Sequence, residues 1–231
     1  MTEREKILGR IREALRVTAP RPGSHDEPHR ATFQSIGRTT QDAQQWLPPG
    51  GGTFEEQVER FRAASIELKT DFRRVANHDE ALAVVKEIAI AEGWKKVGSH
   101  RGELTDAACA ALGLPVIRTD GGYDVNQLES CDAGITECDV LVAQTGSVLV
   151  TNRSAGGRAL SVLPPHHLVL ARSDQMVRDL SAALAAVKQQ YAGNYPSMIS
   201  FITGPSRTGD IERILVLGAH GPKKLTVICQ G

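Results

Sequence analysis

The sequence predicts a mixed α/β fold, a mostly parallel open sheet flanked by helices, preceded by an N-terminal helical arm. Three observations lead there. Between residues 72 and 118, short apolar runs alternate with segments of helical periodicity, which is the strand, helix, strand pattern of parallel sheets. The apolar runs 140–143 and 148–150 are separated only by Gln144-Thr145-Gly146-Ser147, a gap that predicts a hairpin-like reversal and therefore an antiparallel part of the sheet. Finally, residues 1–52 differ in kind from the rest, so the chain divides into an arm with linker, 1–52, and an α/β domain, 53–231.

The arm begins with Ile7, Leu8, Ile11 and Leu15 at helical spacing and charges on the other side, an amphipathic helix that needs a surface to lie on. Residues 18–52 carry Pro20, Pro22, Pro28, Pro48, Pro49 and three consecutive glycines, a linker composition. Thr53 and Glu56 form the signature of a capping box for a helix to about Leu68, and Asn77 with Glu80 repeats it ahead of Ala81, Val84, Val85 and Ile88. Strands are expected at 72–76, 95–99 and 115–118, with a helix over 103–112 stopped by Gly113. Further strands are expected at 159–163 and 168–171, a helix over 173–191, a short buried strand over 198–202, a helix opening over 210–217, and a last strand over 225–229.

Composition removes several function classes. The 231 residues hold 27 basic and 27 acidic side chains, so the formal charge of zero gives no electrostatic case for nucleic acid or an anionic membrane as partner. No apolar run approaches membrane-spanning length, and the charged start lacks a signal peptide's apolar segment, which predicts a cytoplasmic protein without membrane insertion. Cys109, Cys131, Cys138 and Cys229 contain no Cys-x-x-Cys pair, so neither zinc nor an iron–sulfur cluster is expected, and no other cofactor is. Adjacent His166 and His167 point to opposite faces of a strand and read as structural histidines.

Two polar stretches interrupt the apolar pattern. In the first, Gly204, Pro205, Ser206, Arg207, Thr208, Gly209 and Asp210 leave a strand, and the segment closes at His220 and Gly221. Glycines admit close backbone approach, the hydroxyls and Asp210 can cap free amides, and Arg207 beside those amides suits a small anion such as phosphate or carboxylate. A capped strand-to-helix turn without a ligand uses the same residues. Gly204 and Gly209 have the gap of a Walker A loop, but Asp210 and Ile211 replace its Lys and Ser/Thr, and no Gly-x-Gly-x-x-Gly follows a strand elsewhere. In the second stretch, Thr136, Glu137 and Asp139 precede the 140–143 strand and Gln144, Thr145, Gly146 and Ser147 follow it. Carboxylates beside amides and hydroxyls suit acid–base chemistry if buried together, while turn and capping roles account for them equally. Glu137 and Asp210 are the candidate bases, and the remaining residues named here are candidate ligand contacts.

Three pieces resemble the LUD (lactate-utilisation) domain family: residues 134–147, Leu163-Pro164-Pro165-His166-His167, and residues 203–222. The likeness runs from about Thr53 onward. It implies an α/β sheet of the kind shared by sugar-phosphate isomerases and CoA transferases, and a role in oxidising L-lactate to pyruvate beside iron–sulfur partner proteins. Many relatives have Glu where this chain has Gln144, which leaves Glu137 as the nearest carboxylate. The resemblance therefore leaves two readings, a component of a lactate-oxidising system with a pocket for a small anion, and an independent isomerase- or acyl/CoA-transferase-like enzyme.

Overall fold

A computed structural model describes residues 48–208, 216–218 and 220–231. Helix α1 (Phe54–Leu68) opens on the expected capping box: Thr53 Oγ1 accepts from the Glu56 amide, and the Glu56 carboxylate accepts from the amides of Thr53 and Gly52 at 3.2 and 2.7 Å. Strand β1 (Asp71–Val75) leads to α2 (His78–Glu92), where Asn77 caps the Glu80 amide and Glu80 reaches back to Ala76 N at 2.8 Å. Then follow β2 (Val97–Ser99), α3 (Glu103–Leu112), β3 (Val116–Arg118), the short α4 (Val125–Glu129) and β4 (Ala133–Glu137). The second half contributes β5 (Val140–Val142), β6 (Ser147–Thr151), β7 (His166–Arg172), β8 (Met176–Val177), α5 (Leu180–Gln190), β9 (Ile199–Ile202), β10 (Arg207–Thr208), β11 (Val216–Leu217) and β12 (Lys224–Gln230).

Six strands form one sheet in the order β1-β12-β7-β4-β2-β3, every neighbouring pair parallel. Burial on both faces explains why its central strands are nearly continuous apolar runs. Along β7, Leu168 and Leu170 meet Val85, Ile88 and Leu104 of α2 and α3, while Val169 and Ala171 meet Val58 and Phe61 of α1 together with Leu141, Val148 and Val150. Those last three belong to a second, four-stranded sheet, β8-β5-β6-β9, whose far side (Val140, Val142, Leu149) is covered by Ala183, Val187 and Tyr191 of and just after α5. The layers run from α2 and α3 through the parallel sheet to α1 with the small sheet, and then to α5. All four cysteines are buried free thiols. No helix among the described residues is long and apolar enough to cross a membrane.

Several local expectations change. The hairpin β5-β6 exists, but it belongs to the second sheet, and the main sheet is parallel throughout. Strand β4 lies at the centre of the main sheet although Ala133-Gly134-Ile135-Thr136-Glu137 offers one large apolar side chain. Small residues are needed there because a Cβ on Gly134 would lie 2.2 Å from the Leu160 carbonyl, and one on its register partner Gly98 would lie 2.5 Å from Leu128. Leu160 sits in a single 3₁₀ turn, Ala159–Ser161, where a strand was expected, and β7 begins only beyond Pro164 and Pro165. Met176 and Val177 form β8 rather than the start of a helix, leaving Leu184 of the expected core stripe 53% exposed. Strand β9 is an edge strand with Ile199 and Phe201 exposed, not a buried one. Val216 and Leu217 pair with β10 instead of ending a helix, and residues 210–215 of that expected helix lie outside the described residues.

Candidate functional site

The two polar stretches meet, and the C-terminal end of α1 is what joins them. Gly146 has φ +64°, and a Cβ there would lie 2.9 Å from the Ala64 Cβ and 3.1 Å from Leu68 Cδ1, so only glycine lets the β5-β6 turn close on the helix. Gly204 packs on the same Leu68, whose carbonyl also accepts a hydrogen bond from Arg207 Nη2. α1 carries no basic residue in its own last turn, and Arg207 supplies the cation and donor that a helix C-terminus favours.

Beside this junction the side chains of Thr145, Ser147 and Thr203 form a chain of hydroxyls. Thr145 Oγ1 and Ser147 Oγ share a hydrogen bond of 2.7 Å, and Ser147 Oγ and Thr203 Oγ1 one of 2.8 Å. They line a cavity of about 320 Å³ whose other walls are Leu180, Leu184 and Phe201. Three linked hydroxyls can turn their protons toward an acceptor, with apolar side chains on the other side. Gln144 lies next to this cavity in sequence but is committed elsewhere: its Nε2 donates to Pro48 O at 2.9 Å and its amide to Arg178 O at 3.1 Å. Ser206 donates its amide to Pro222 O and accepts at its own carbonyl from Gly218 N, with Gly221 packed on its side chain. Pro205 is buried and His220 exposed; Thr208 pairs with Val216 in β10-β11; Gly209 and Asp210 lie outside the described residues.

Thr136 and Glu137 belong to another neighbourhood. The order of the main sheet reverses between β2 and β4, and the crevice at their carboxyl ends is where parallel sheets commonly take ligands. Here protein fills it. Glu137 Oε1 accepts from Leu104 N at 2.9 Å and Thr105 N at 3.2 Å, supplying the side-chain cap that Gly102 lacks at the start of α3. His100, 2% exposed, accepts from Glu137 N at Nε2 and directs Nδ1 to Arg101 O at 2.9 Å, which assigns it the neutral Nδ1–H form. The 152–158 loop closes over it, with Gly156 against the His100 side chain. Asp139 does not share this site. It accepts from the hydroxyls of Tyr191 and Ser154 and, at 3.3 Å, from Gln190 Nε2.

Thr136 Oγ1 is 2.9 Å from His167 Nε2. Burial, and secondarily the neighbouring His166, push His167 down to about 3, and its Nδ1 has no partner among the described residues. His166, on the opposite face as expected, bonds Glu92 at 2.9 Å and Thr226 at 2.9 Å with Trp94 edge-on to its ring. Burial raises the Glu92 carboxyl, but bonds from Lys224, His166 and Trp94 outweigh it and hold the group at about 2.

Sequence reasoning named Thr145 and Ser147 but not the cavity's other lining residues, Thr203, Leu180, Leu184 and Phe201. Thr203 opens the polar loop but carries no sign in the sequence that sets it apart as a ligand contact. The three apolar residues read as core stripes, and only their placement at an open edge marks them out. Among the described residues no group of three or more His, Cys, Asp or Glu is arranged to hold a metal ion.

Comparison with known proteins completes the picture. Residues 125–229 match the family described as LUD domain. The chain is 32% identical over 142 residues to a Deinococcus radiodurans protein named Lactate utilization protein C, covering 59% of this chain and 66% of that one. It is 36% identical over 110 residues to a protein of the same name from Shouchella clausii, covering 47% and 48%. The matched region thus spans 66% and 48% of the length of these two relatives, less than two thirds of either. A crystal structure of a DUF162 family protein from Deinococcus radiodurans superposes with a TM-score of 0.61 at 24% identity, covering 78% of this chain and 100% of that one, which supports the α/β fold.

Proposed function

This chain carries a LUD domain over residues 125–229, and from that premise we propose that it is a component of a cytoplasmic L-lactate utilisation system that oxidises lactate to pyruvate together with iron–sulfur partner proteins. In this reading residues 53–231 are the ligand-binding unit and residues 1–52 contact the partners. The observation that carries it is the cavity of Thr145, Ser147 and Thr203, set where two of the three stretches that carry the family likeness come together. Hydroxyl donors at one wall suit the carboxylate of a small acid, and Leu180, Leu184 and Phe201 suit its methyl end. Arg207 is engaged with Leu68 O, so the carboxylate's partners in this pocket are hydroxyls rather than a guanidinium.

The test has two arms. Calorimetric titration of L-lactate, pyruvate and sugar phosphates should show binding of the small acids that Ser147→Ala or Thr203→Val weakens roughly tenfold, the loss of one hydrogen bond to a charged group. Co-purification should return iron–sulfur proteins, and lactate oxidation by that assembly should fall when this chain is omitted. Equal titrations for wild type and both variants would remove the pocket from the proposal; undiminished oxidation without the chain would remove the role.

The independent-enzyme reading asks for Glu137 or Asp210 as base. Glu137 has one carboxylate oxygen on two α3 amides, and Asp210 lies outside the described residues. Turnover of a sugar phosphate or acyl-CoA by the isolated chain is the result that would favour it.

A further inference from the structure

A second cavity, about 300 Å³, opens at the opposite, amino-terminal edge of the parallel sheet, where β1, β7 and β12 begin. Its wall holds four cations and three carboxylates. Two of the cations are matched inside the wall: Arg73 by Asp71 and Glu87, and Lys224 by Glu92. Lys69 and Lys223 line the same space and form no ion pair among the described residues.

The backbone at Lys69 adds an independent observation. It is the C-cap of α1 with φ 61° and ψ 35°, the one non-glycine residue among those described with positive φ. The caps of α2 and α3 at the corresponding position are Gly93 and Gly113. Left-handed backbone disfavours any side chain with a Cβ, so the lysine sits there at a cost in strain that glycine would avoid. On the other wall, Lys223 is held by its stem: a Cβ on Gly218 would lie 2.2 Å from Lys223 Cγ, so glycine at that turn leaves the room that the lysine chain occupies. Contact along the stem, with the residue otherwise exposed, leaves the ammonium in solvent at the cavity.

We propose that this cavity is a binding site for a small polyvalent oxyanion, a phosphate group or a dicarboxylate, gripped between Lys69 and Lys223. It shares no lining residue with the hydroxyl-lined cavity and does not depend on the reading given to that one. A monovalent anion gains little from exposed ammonium groups, whereas two of them lining one cavity add their attractions on a doubly charged guest, against a wall whose carboxylates are already paired.

The full chain, melted by thermal shift in rising inorganic phosphate or succinate at ionic strength held constant with sodium chloride, tests this. The melting temperature should climb saturably with one of the two anions, and which one distinguishes a tetrahedral from a dicarboxylate guest. Lys69→Gly should melt at the same temperature or higher in chloride alone, because it relieves the left-handed backbone, yet bind the anion roughly tenfold more weakly. Lys223→Met should weaken it similarly, and Lys188→Met, on α5, should not. Absence of a saturable rise in wild type, or an equal rise in Lys69→Gly and Lys223→Met, overturns the proposal; a loss confined to those two variants supports it.

Discussion

At the scale of single residues, the same side chain often serves the fold at a place where sequence suggested only a ligand. Arg207 reads in the sequence as a cation for an anion beside glycines, and the structure engages it as the donor that closes the end of α1. Arg207→Ala should therefore lower unfolding free energy by about 1 kcal/mol, the worth of a capping bond, as measured by urea denaturation. Gly146 carries a sharper expectation. With φ +64° and Ala64 Cβ 2.9 Å from any added Cβ, Gly146→Ala combines backbone strain with overpacking and should cost about 2 kcal/mol or more. An unchanged midpoint for Gly146→Ala would mean that the β5-β6 turn is free to move off α1, and the cavity beside it with it.

At the scale of elements, caps explain which signals were legible. The boxes at Thr53 and Asn77 are local, so spacing alone places the starts of α1 and α2. α3 has glycine at its N-cap, and its cap comes from Glu137, 33 residues further on from Leu104, across the sheet. That bond is invisible in a linear reading, which took Glu137 for a candidate base. Glu137→Gln keeps a weaker acceptor and Glu137→Ala keeps none, so stability should fall in that order, by about 1 kcal/mol and then about 2 kcal/mol. Amide exchange in the first turn of α3 should accelerate in parallel, and protection equal to wild type in Glu137→Ala would refute the capping role. Strand β4 shows the converse limit. Its small residues hide it from apolar patterning because the 3₁₀ turn bearing Leu160 and the helix α4 residue Leu128 press on Gly134 and Gly98.

At the scale of the whole molecule, pH response follows from two buried networks. His167 is neutral in the folded chain down to about 3, whereas an unfolded histidine takes a proton near 6.5. Between those values the unfolded chain binds more protons, so stability is full above about pH 6.5 and declines by about 1.4 kcal/mol per unit as pH falls toward 3. Glu92, held at about 2 against an ordinary 4.5, adds stability above pH 4.5 that is lost as pH drops from there toward 2. Urea unfolding across pH 3–7 should show the first slope, and His167→Met should flatten it; an equally steep profile in that variant would assign the response to other groups. Taken by itself, the sequence determined the fold class, the strand and helix alternation over 72–118, two helix starts, the hairpin at 140–151 and the two polar stretches, because capping, turns and apolar periodicity act over a few residues. Only the tertiary structure decided that the hairpin builds a second sheet, that Glu137 caps α3 while Ser147 meets Thr203, and that Lys69 and Lys223 line one cavity at the amino-terminal edge of the parallel sheet. Those outcomes depend on contacts between positions tens to more than a hundred residues apart, whose geometry is set by how buried layers pack and leaves no periodic trace along the chain.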